Sequence, residues 1–305
     1  METERISSGQ NPKIKRLLAL QEKSSLRRES GLFVVEGRRE LEHCLAAGFE
    51  IDSLFVCPEL LDGWQLPACG ANAPLPPPRS GEVRRSGSPH HPSGTVPPLP
   101  NRGCYAPPTG EVAACAKVFE LPEALYRKVA YRGGTEGVLA EVRAKPTRLE
   151  DLQLRENPLV VVLEAVEKPG NLGAVLRSAD AAGADAVLVC DPLTDLWNPN
   201  LIRASIGAVF TVPVAVCTSA EAISWLKERG IRILTAQLQD SSSCYDTDMR
   251  GPTALVMGTE STGLSEQWRK AADAHIRIPM RGRLDSLNVS VSTAVLLFEA
   301  VRQRG

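Results

Sequence analysis

The chain has 305 residues and a net charge of −1, with 43% hydrophobic and 23% charged residues. Its length favours about two domains, each large enough for its own core, and its composition is typical of a soluble globular protein. The near-zero charge excludes a protein held on nucleic acid by bulk charge alone, although a local basic face is compatible with it.

The eight cysteines are scattered without a C-x-x-C pair, and most lie in apolar runs. This pattern predicts buried free thiols in a reducing compartment rather than a disulfide framework or a zinc site. The acidic start lacks the basic-then-apolar layout of a signal peptide, and no apolar run approaches the roughly 20 residues of a membrane span. We therefore expect a cytoplasmic protein without membrane contact.

The first part of the chain alternates helix and strand patterns. Asn11 and Pro12 open an amphipathic segment, with the proline near a first turn that does not need its N–H. In chain order the patterns predict helix 11–22, strand 32–35, helix 38–47, strand 53–57, helix 122–130 and strand 137–142. We expect a small α/β domain over residues 1–145 and a linker over 146–157.

A proline- and glycine-rich segment, residues 66–110, interrupts this domain. It holds 12 of the chain's 23 prolines and six glycines. Such a composition buries too little apolar surface to offset the entropy of ordering the chain. It predicts a disordered or loosely attached insertion, with a proline-rich ligand for a partner domain as the alternative.

From residue 158 onward the pattern becomes regular. Strands are predicted at 159–163, 186–190, 210–216, 231–235, 253–257 and 275–278, and helices at 172–182, 199–207, 220–229, 264–273 and 287–302. Continuous Val, Leu and Ile strands that alternate with helices indicate an α/β domain, residues 158–305, with a parallel sheet covered on both faces. The G-x-G-x-x-G pattern is absent, which argues against a dehydrogenase and against a Rossmann-like methyltransferase.

Three segments of this domain carry polar residues that a packed core would not require. Segments 168–180, 257–264 and 286–293 each begin where an apolar run ends. We expect all three at the rim of the sheet, where open α/β sheets bind ligands. Their conspicuous polar residues are Arg177, Glu260 and Asn288.

Each of these residues also has an explanation that involves no function. Arg177 could form an ion pair with the aspartate three positions later on a solvated helix face. Glu260 could be favoured by the dipole of a helix N-terminus. Asp285 or Ser286 could cap the final helix, which would leave Asn288 as a poor helix former inside the first turn.

In this order and spacing, the three segments resemble the SpoU/TrmH family of RNA ribose 2′-O-methyltransferases, within the SPOUT superfamily. The resemblance covers residues 158–305 and implies a SPOUT-type parallel sheet with a C-terminal trefoil knot around the cofactor, S-adenosylmethionine. The part before it resembles, more weakly, the ribosomal-protein-like RNA-recognition domain often found ahead of this core. That match lies in Gln10-Asn-Pro-Lys-Ile-Lys15 and Phe33-Val-Val-Glu-Gly-Arg38. The insertion departs from the family pattern.

The resemblance implies roles for particular residues. Arg177 would be catalytic. A guanidinium stays protonated and is therefore a poor general base, so we expect Arg177 to bind phosphate and stabilise the developing 2′-oxyanion. Asn171, Glu260 and Asn288 would complete the catalytic group. The cofactor would be held, without a metal, by Gly258, Ile278, Leu287, Thr235, Met280 and Ser286.

A basic segment of the small domain is the expected RNA contact. Residues 11–39 contain eight Lys or Arg against three Glu, and the alternative is an ordinary solvated helix face. By the resemblance, RNA would be bound by Lys13, Lys15, Arg16 and Arg38.

Ribosomal RNA is the expected substrate and transfer RNA the runner-up. A catalytically idle RNA-binding module of the same fold is the alternative from another class, and the intact Arg177, Glu260 and Asn288 favour the enzyme. The last helix is apolar on more than one face, so we expect a second copy of the chain to cover one face in a homodimer. Packing of the small domain on that face is the alternative.

Overall fold

The computed structural model describes residues 3–64, 117–131, 136–259 and 262–305. Within these residues the chain forms two β-sheets, one of five strands and one of seven. The predicted insertion at 66–110 and the candidate Glu260 both lie outside the described residues.

The five-stranded sheet forms the small N-terminal domain. Its elements are β1 (Thr3–Arg5), α1 (Pro12–Glu22), α2 (Ser24–Ser30), β2 (Leu32–Glu36), α3 (Arg38–Ala46), β3 (Ile51–Val56), β4 (Lys117–Glu120), α4 (Glu123–Val129) and β5 (Val138–Arg143). The strand order is β1-β4-β3-β5-β2, and β5 is antiparallel to both of its neighbours. Helix α1 begins where the sequence predicts, because Asn11 accepts a hydrogen bond from the Lys13 N–H (2.9 Å) and Pro12 occupies the first position.

The seven-stranded sheet forms the larger domain. Its elements are β6 (Leu159–Glu164), α5 (Pro169–Ala182), β7 (Ala186–Cys190), α6 (Pro199–Ser205), α7 (Ala208–Thr211), β8 (Val214–Cys217), α8 (Ser219–Glu228), β9 (Arg232–Ala236), β10 (Ser242–Ser243), β11 (Thr253–Met257), α9 (Glu266–Ala271), β12 (Ala274–Arg277) and α10 (Val289–Arg304). The strand order is β10-β12-β9-β11-β6-β7-β8, and every described pair is parallel. The predicted parallel sheet is therefore confirmed, and the knot stays a prediction.

The central strands are buried on both faces. Every residue of β6, β7 and β11 is buried, because α5 and α10 cover one face of the sheet while α8 and α9 cover the other. A strand buried on both faces can use Val, Leu or Ile at every position rather than at alternate ones. This explains why these three strands were readable as continuous apolar runs.

The strand predicted at 210–216 is wrong over its first part. Ala208–Thr211 form helix α7, and β8 begins only after Pro213, which has no N–H to contribute to a sheet. The sequence patterns also miss the short strands β1, β4 and β10 and the helix α2.

The two domains share one hydrophobic core. Residues of β2, β3 and α3 pack in the same cluster as residues of α5, α6 and α7. The predicted linker packs on the larger domain, since Leu149 is buried in the cluster that includes residues of α8 and α9, and the Thr147 carbonyl accepts a hydrogen bond from the Val216 N–H (2.8 Å). The small domain is thus packed directly against the larger one.

Candidate active site

The first rim loop connects β6 to α5. Ala165 adopts a left-handed conformation (φ 50°), and its N–H donates to the Cys190 carbonyl of the neighbouring strand (2.8 Å). The Val166 carbonyl then accepts from the Leu193 N–H (3.1 Å). Because Pro169 opens α5 directly after this turn, Asn171 lies in the first turn of the helix, at the rim.

The second rim loop follows β11 and turns back on itself. Thr259 and Gly263 form an isolated antiparallel bridge, with N–H to carbonyl distances of 3.1 and 3.2 Å in the two directions. A Cβ atom at Gly258 would lie 2.3 Å from the Gly263 carbonyl carbon and 2.5 Å from the Leu264 nitrogen. Only glycine fits this close approach of two backbone segments.

The third rim segment contains Asn288, which directly precedes α10. The Asn288 Oδ1 accepts from the Ser290 N–H (3.0 Å) and from the Ser290 hydroxyl (2.6 Å), so Asn288 is the N-cap. The alternative in which Asp285 or Ser286 caps this helix is therefore wrong, and the Ser286 hydroxyl donates to Asp285 instead (3.2 Å). Asparagine is one of the best N-cap residues, which removes the objection to it inside a first turn.

Asn288 also joins the third segment to the first loop. Its Nδ2 donates to the Asn171 Oδ1 across 117 positions of sequence, at 3.2 Å. Two of the predicted catalytic residues are thus in direct contact.

A cleft of about 110 Å³ opens beside this contact. It is lined by Leu163, Glu164, Ala165, Val166, Glu167, Lys168, Asn171, Met257, Gly258, Thr259 and Val289. The lining comes from the end of β6 and the loop after it, the first turn of α5, the end of β11 with the two residues that follow, and the start of α10. The structure therefore brings parts of all three predicted segments to one edge of the sheet.

Arg177 lies on the exposed side of α5, whose buried side is formed by Leu172, Val175, Leu176 and Ala179. The Asp180 carboxylate, three positions later, accepts from the Thr211 hydroxyl (3.3 Å). Arg177 does not line the cleft itself.

Most of the residues expected to hold the cofactor do not line this cleft. Gly258 does, whereas Thr235 is buried inside the sheet and its hydroxyl lies 2.6 Å from the His275 Nδ1. Ile278 packs against the core, and Leu287 is 43% exposed. Met280 and Ser286 lie in the connection between β12 and α10, and the roles of all six stay predictions.

Glu164 is a site residue that the sequence patterns did not single out. This carboxylate is 7% exposed at the end of β6 and accepts a hydrogen bond from the Ser265 N–H (2.8 Å), just after the second loop. The Ser219 hydroxyl lies 3.4 Å from it and also accepts from the Trp268 indole N–H (3.0 Å). The sequence feature that could have identified Glu164 is its position as an acidic residue at the end of an apolar strand.

The Cys190 thiol, near the rim, is unsuited to nucleophilic chemistry. The Cys190 and Cys217 sulfurs are 3.8 Å apart at the ends of β7 and β8. The hydrogen bond with Cys217 and burial both raise the pKa of the Cys190 thiol, so it is neutral near pH 7. Across the described residues, no group of three or more His, Cys, Asp or Glu is placed to hold a metal ion.

The four predicted RNA contacts have different surroundings. Lys15 is exposed, and Lys13 forms an ion pair with Glu4 (2.5 Å). Arg16 binds the buried Glu141, with its Nε 3.2 Å from the carboxylate. Arg38 donates to the backbone carbonyls of residues 136 (3.0 Å) and 60 (2.8 Å). Arg16 and Arg38 therefore already serve the fold, and their contact with RNA stays a prediction.

Two protein-family models match different parts of the chain. A model described as the SpoU rRNA Methylase family matches residues 158–298. A second model, described as the MRM3-like substrate binding domain, matches residues 11–74.

The chain is also similar to characterised proteins and solved structures. It is 40% identical over 179 residues to the 23S rRNA (guanosine-2′-O-)-methyltransferase RlmB of Pseudomonas putida, covering 56% of this chain and 72% of that protein. It is 36% identical over 173 residues to the 23S rRNA (uridine(2479)-2′-O)-methyltransferase of Streptomyces viridochromogenes, covering 55% of this chain and 60% of that protein. A crystal structure of an RNA 2′-O ribose methyltransferase aligns with a TM-score of 0.73 and 34% identity over 99% of both chains. The AdoMet-bound rRNA methyltransferase from Sinorhizobium meliloti aligns with a TM-score of 0.76 and 26% identity over 98% of both chains.

Proposed function

Because the chain belongs to the SpoU rRNA methylase family, we propose that it transfers a methyl group from S-adenosylmethionine to a ribose 2′-hydroxyl of ribosomal RNA. The resemblance found in the sequence is confirmed, and with it the enzyme class and the cofactor that it implied. The roles of individual residues and the choice of nucleotide belong to the proposal.

The observation that carries this proposal is the meeting of the three rim segments. The Asn171–Asn288 hydrogen bond joins the first to the third, and Gly258 of the second lies in the same cleft. A chain that kept the fold for RNA binding alone would have no need to converge neutral hydrogen-bonding groups at this edge of the sheet. The enzyme is therefore favoured over the idle module.

The second loop is suited to a nucleoside cofactor. The backbone at Gly258 has no room for a side chain, and the loop is closed by its own backbone bridge. Backbone N–H and C=O groups beside apolar side chains, here Leu163, Met257 and Val289, can bind an adenosine moiety. Gly258 and its neighbours would hold S-adenosylmethionine, which supplies a methyl group already activated by a sulfonium.

The protein's share of the reaction is to position and stabilise. The Asn171 and Asn288 amides would hold a ribose edge, and their mutual hydrogen bond supports this role because it orients both side chains. Arg177 would bind the target phosphate with two parallel hydrogen bonds and favour negative charge on the 2′-oxygen as its O–H bond breaks. The 2′-hydroxyl proton would leave to water as the oxygen takes the methyl group, so none of these side chains has to accept it.

Large-subunit ribosomal RNA is the proposed substrate, because the two curated relatives described above carry 23S rRNA in their names. One is named for guanosine and the other for uridine, so similarity at this level does not select the base. Transfer RNA stays the runner-up, without an observation that favours it.

We also propose a homodimer formed through α10. Val291 and Phe298, seven positions apart on the same side of this helix, are 48% and 49% exposed. The opposite side packs into the core through Leu296, Leu297 and Ala300. The small domain, as far as it is described, leaves both side chains exposed, so a second copy is the better candidate to cover them.

A cytoplasmic location is part of the proposal. It is supported by the free thiols at Cys44, Cys57, Cys190, Cys217 and Cys244 in the described residues, which are typical of a reducing compartment. None of the described helices combines the length and the apolar character that a bilayer crossing requires.

Titration calorimetry with S-adenosylmethionine, without added metal, tests the cofactor site. Wild-type protein should bind, Gly258→Ala should bind at least about tenfold more weakly because its Cβ displaces the loop, and Gly251→Ala is the control. A Cβ at Gly251 meets nothing within 4 Å. Absence of heat with folded wild-type protein would refute the proposal. If the cofactor binds, mapping 2′-O-methyl groups on transcribed large-subunit RNA and on transfer RNA decides between the two substrates.

A further inference from the structure

One buried arginine of the small domain is bound to the larger domain. Arg27, at the end of α2, is 3% exposed, and its Nε donates to the Asp195 carboxylate at 2.5 Å. Its Nη1 donates to the carbonyls of Leu20 (2.6 Å) and Gln21 (3.1 Å), so the guanidinium is held in one orientation. Asp195 lies in the connection between β7 and α6, and its side chain is 12% exposed.

Aromatic rings from both domains are packed beside this ion pair. Phe33 of β2 stacks on Trp197, with ring centroids 4.4 Å apart and planes inclined by 15°. Phe49 packs edge-to-face against Trp197 and Phe210, with its ring centroid 5.7 Å and 5.3 Å from theirs. Phe33 and Phe49 come from the small domain, and the other two from the larger one.

The connection that carries Asp195 and Trp197 also supports the active site. Its backbone is tied to the first rim loop by the hydrogen bond from the Leu193 N–H to the Val166 carbonyl (3.1 Å). Val166 and its neighbours line the cleft. The connection, residues 191–198, thus contacts the small domain on one side and the catalytic loop on the other.

A buried ion pair is weak evidence for stability, since an apolar pair of similar size often serves as well. Its best-attested use is to select one arrangement among several, because other arrangements leave a buried charge unpaired. A hydrophobic contact alone would permit the domains to slide. The charged pair removes that freedom here.

We infer that the Arg27–Asp195 pair and the Phe33–Trp197 stack form a docking clamp that fixes the small domain at one position relative to Arg177 and Asn171. The clamp makes the distance from the RNA-recognition surface to the catalytic loops constant. That distance selects the ribose that reaches the active site. The inference rests on the proposed function and adds to it the structural contact that selects the methylated nucleotide.

The test is a double variant, Arg27→Met with Asp195→Asn, which removes both charges and leaves neither one buried alone. Trp197→Leu is a second, independent variant, should the first fail to fold. Arg250→Met with Asp248→Asn is a charge-matched control, because this exposed pair lies within the larger domain, in the turn before β11. The substrate is transcribed large-subunit ribosomal RNA, and each protein is used at full length.

We expect both clamp variants to bind S-adenosylmethionine as the wild type does and to bind the RNA within about threefold of it. The single-turnover rate at the wild-type nucleotide should fall roughly 10- to 100-fold, because small displacements of a reacting group are costly. Methyl groups should also appear at neighbouring nucleotides, and the control should match the wild type.

An unchanged methylation map in the folded clamp variants would overturn the inference, whether or not the rate falls. A parallel loss of cofactor affinity would likewise show that the clamp only supports the catalytic loop. A wild-type protein that methylates no nucleotide would overturn the proposed function, and with it the inference that the clamp selects the nucleotide.

Discussion

The two polar atoms of the Asn288 amide serve different purposes. The oxygen caps α10 by accepting from the Ser290 N–H, and the nitrogen donates to Asn171 across the rim. The sequence singled out Asn288 as a residue that the core did not need, and it offered Asp285 or Ser286 as the alternative cap. Sequence spacing could not show that one side chain would perform both tasks.

Substitutions at Asn288 can separate the two tasks. Asn288→Asp keeps an oxygen for the cap but loses the donor to Asn171, so we expect nearly unchanged thermal stability and a large loss of methyl transfer. Asn288→Ala should in addition lose about 1 kcal/mol of stability, as N-cap deletions do. Chemical unfolding and a methylation assay measure the two effects, and wild-type activity in Asn288→Asp would exclude a role for the donor.

Arg177 is the residue on which the proposed chemistry depends most. Replacing it with Ala should lower turnover at least about 100-fold, since groups that stabilise a developing oxyanion contribute on that scale. The affinity for S-adenosylmethionine should change only a few-fold, because Arg177 does not line the cleft.

Arg177→Lys separates charge from geometry. A lysine keeps the positive charge but cannot form two parallel hydrogen bonds to phosphate, so we expect only a small recovery over Arg177→Ala. Single-turnover assays with saturating cofactor give the comparison. Near-normal turnover in Arg177→Ala would show that the residue is merely part of the helix surface.

At the scale of elements, buried strands were easier to predict than edge strands. Strands β7 and β11 have the bounds that their apolar runs predict, because burial on both faces leaves a continuous signal. By contrast, β10 is two serines and β1 is fully exposed, and both exist because a neighbouring strand offers backbone partners. Such a partner cannot be seen in the local sequence.

The candidate site shows the same limit. Local sequence located the rim positions of Asn171, Gly258 and Asn288, because each follows the end of an apolar run. It did not locate Glu164, whose partner at Ser265 is 101 positions away. A buried carboxylate at a strand end becomes informative only when the group that it binds is known.

The opposite, amino-terminal edge of the sheet should show a measurable pH dependence. Burial alone would raise the pKa of the Asp185 carboxyl, but hydrogen bonds from Arg155 and from the Leu159 N–H outweigh it and lower the pKa below its usual 3.8. A depressed carboxyl pKa contributes stability above the unfolded value, and this contribution is lost as the pH falls through the folded value.

We therefore expect Asp185→Asn to destabilise the protein by about 2 kcal/mol at pH 7, where a charge-assisted hydrogen bond is lost. The difference from wild type should shrink as the pH falls from 5 to 3. Urea unfolding at several pH values measures it, with the exposed Glu228→Gln as the control. A difference that is constant across this pH range would contradict the assignment to ionised Asp185.

At the scale of the whole molecule, the sequence predicted two domains but not how they meet. The predicted linker over 146–157 did not indicate that one hydrophobic core runs through both domains. The residues that join them, such as Arg27 and Trp197, look like an ordinary surface charge and an ordinary core aromatic in the sequence. Arg27 and Asp195 are 168 positions apart in the chain, so their ion pair exists only in the tertiary fold.

The exposed apolar side of α10 predicts the oligomeric state of the protein. Its core-facing side is already covered, whereas Val291 and Phe298 present apolar surface to solvent on the other side. Apolar side chains that recur seven positions apart on an exposed helix are typical of a helix–helix contact between subunits. Light scattering at micromolar concentration should therefore give a mass near twice the chain's 32.9 kDa.

Phe298→Glu should shift this mass toward that of a single chain, because a carboxylate would be buried without a partner at the centre of the contact. Leu238→Glu is the matched control, since Leu238 is 46% exposed but lies outside α10. The control should leave the mass unchanged. A wild-type mass near 32.9 kDa would exclude the dimer, and a dimer that survives Phe298→Glu would move the interface to another face of the molecule.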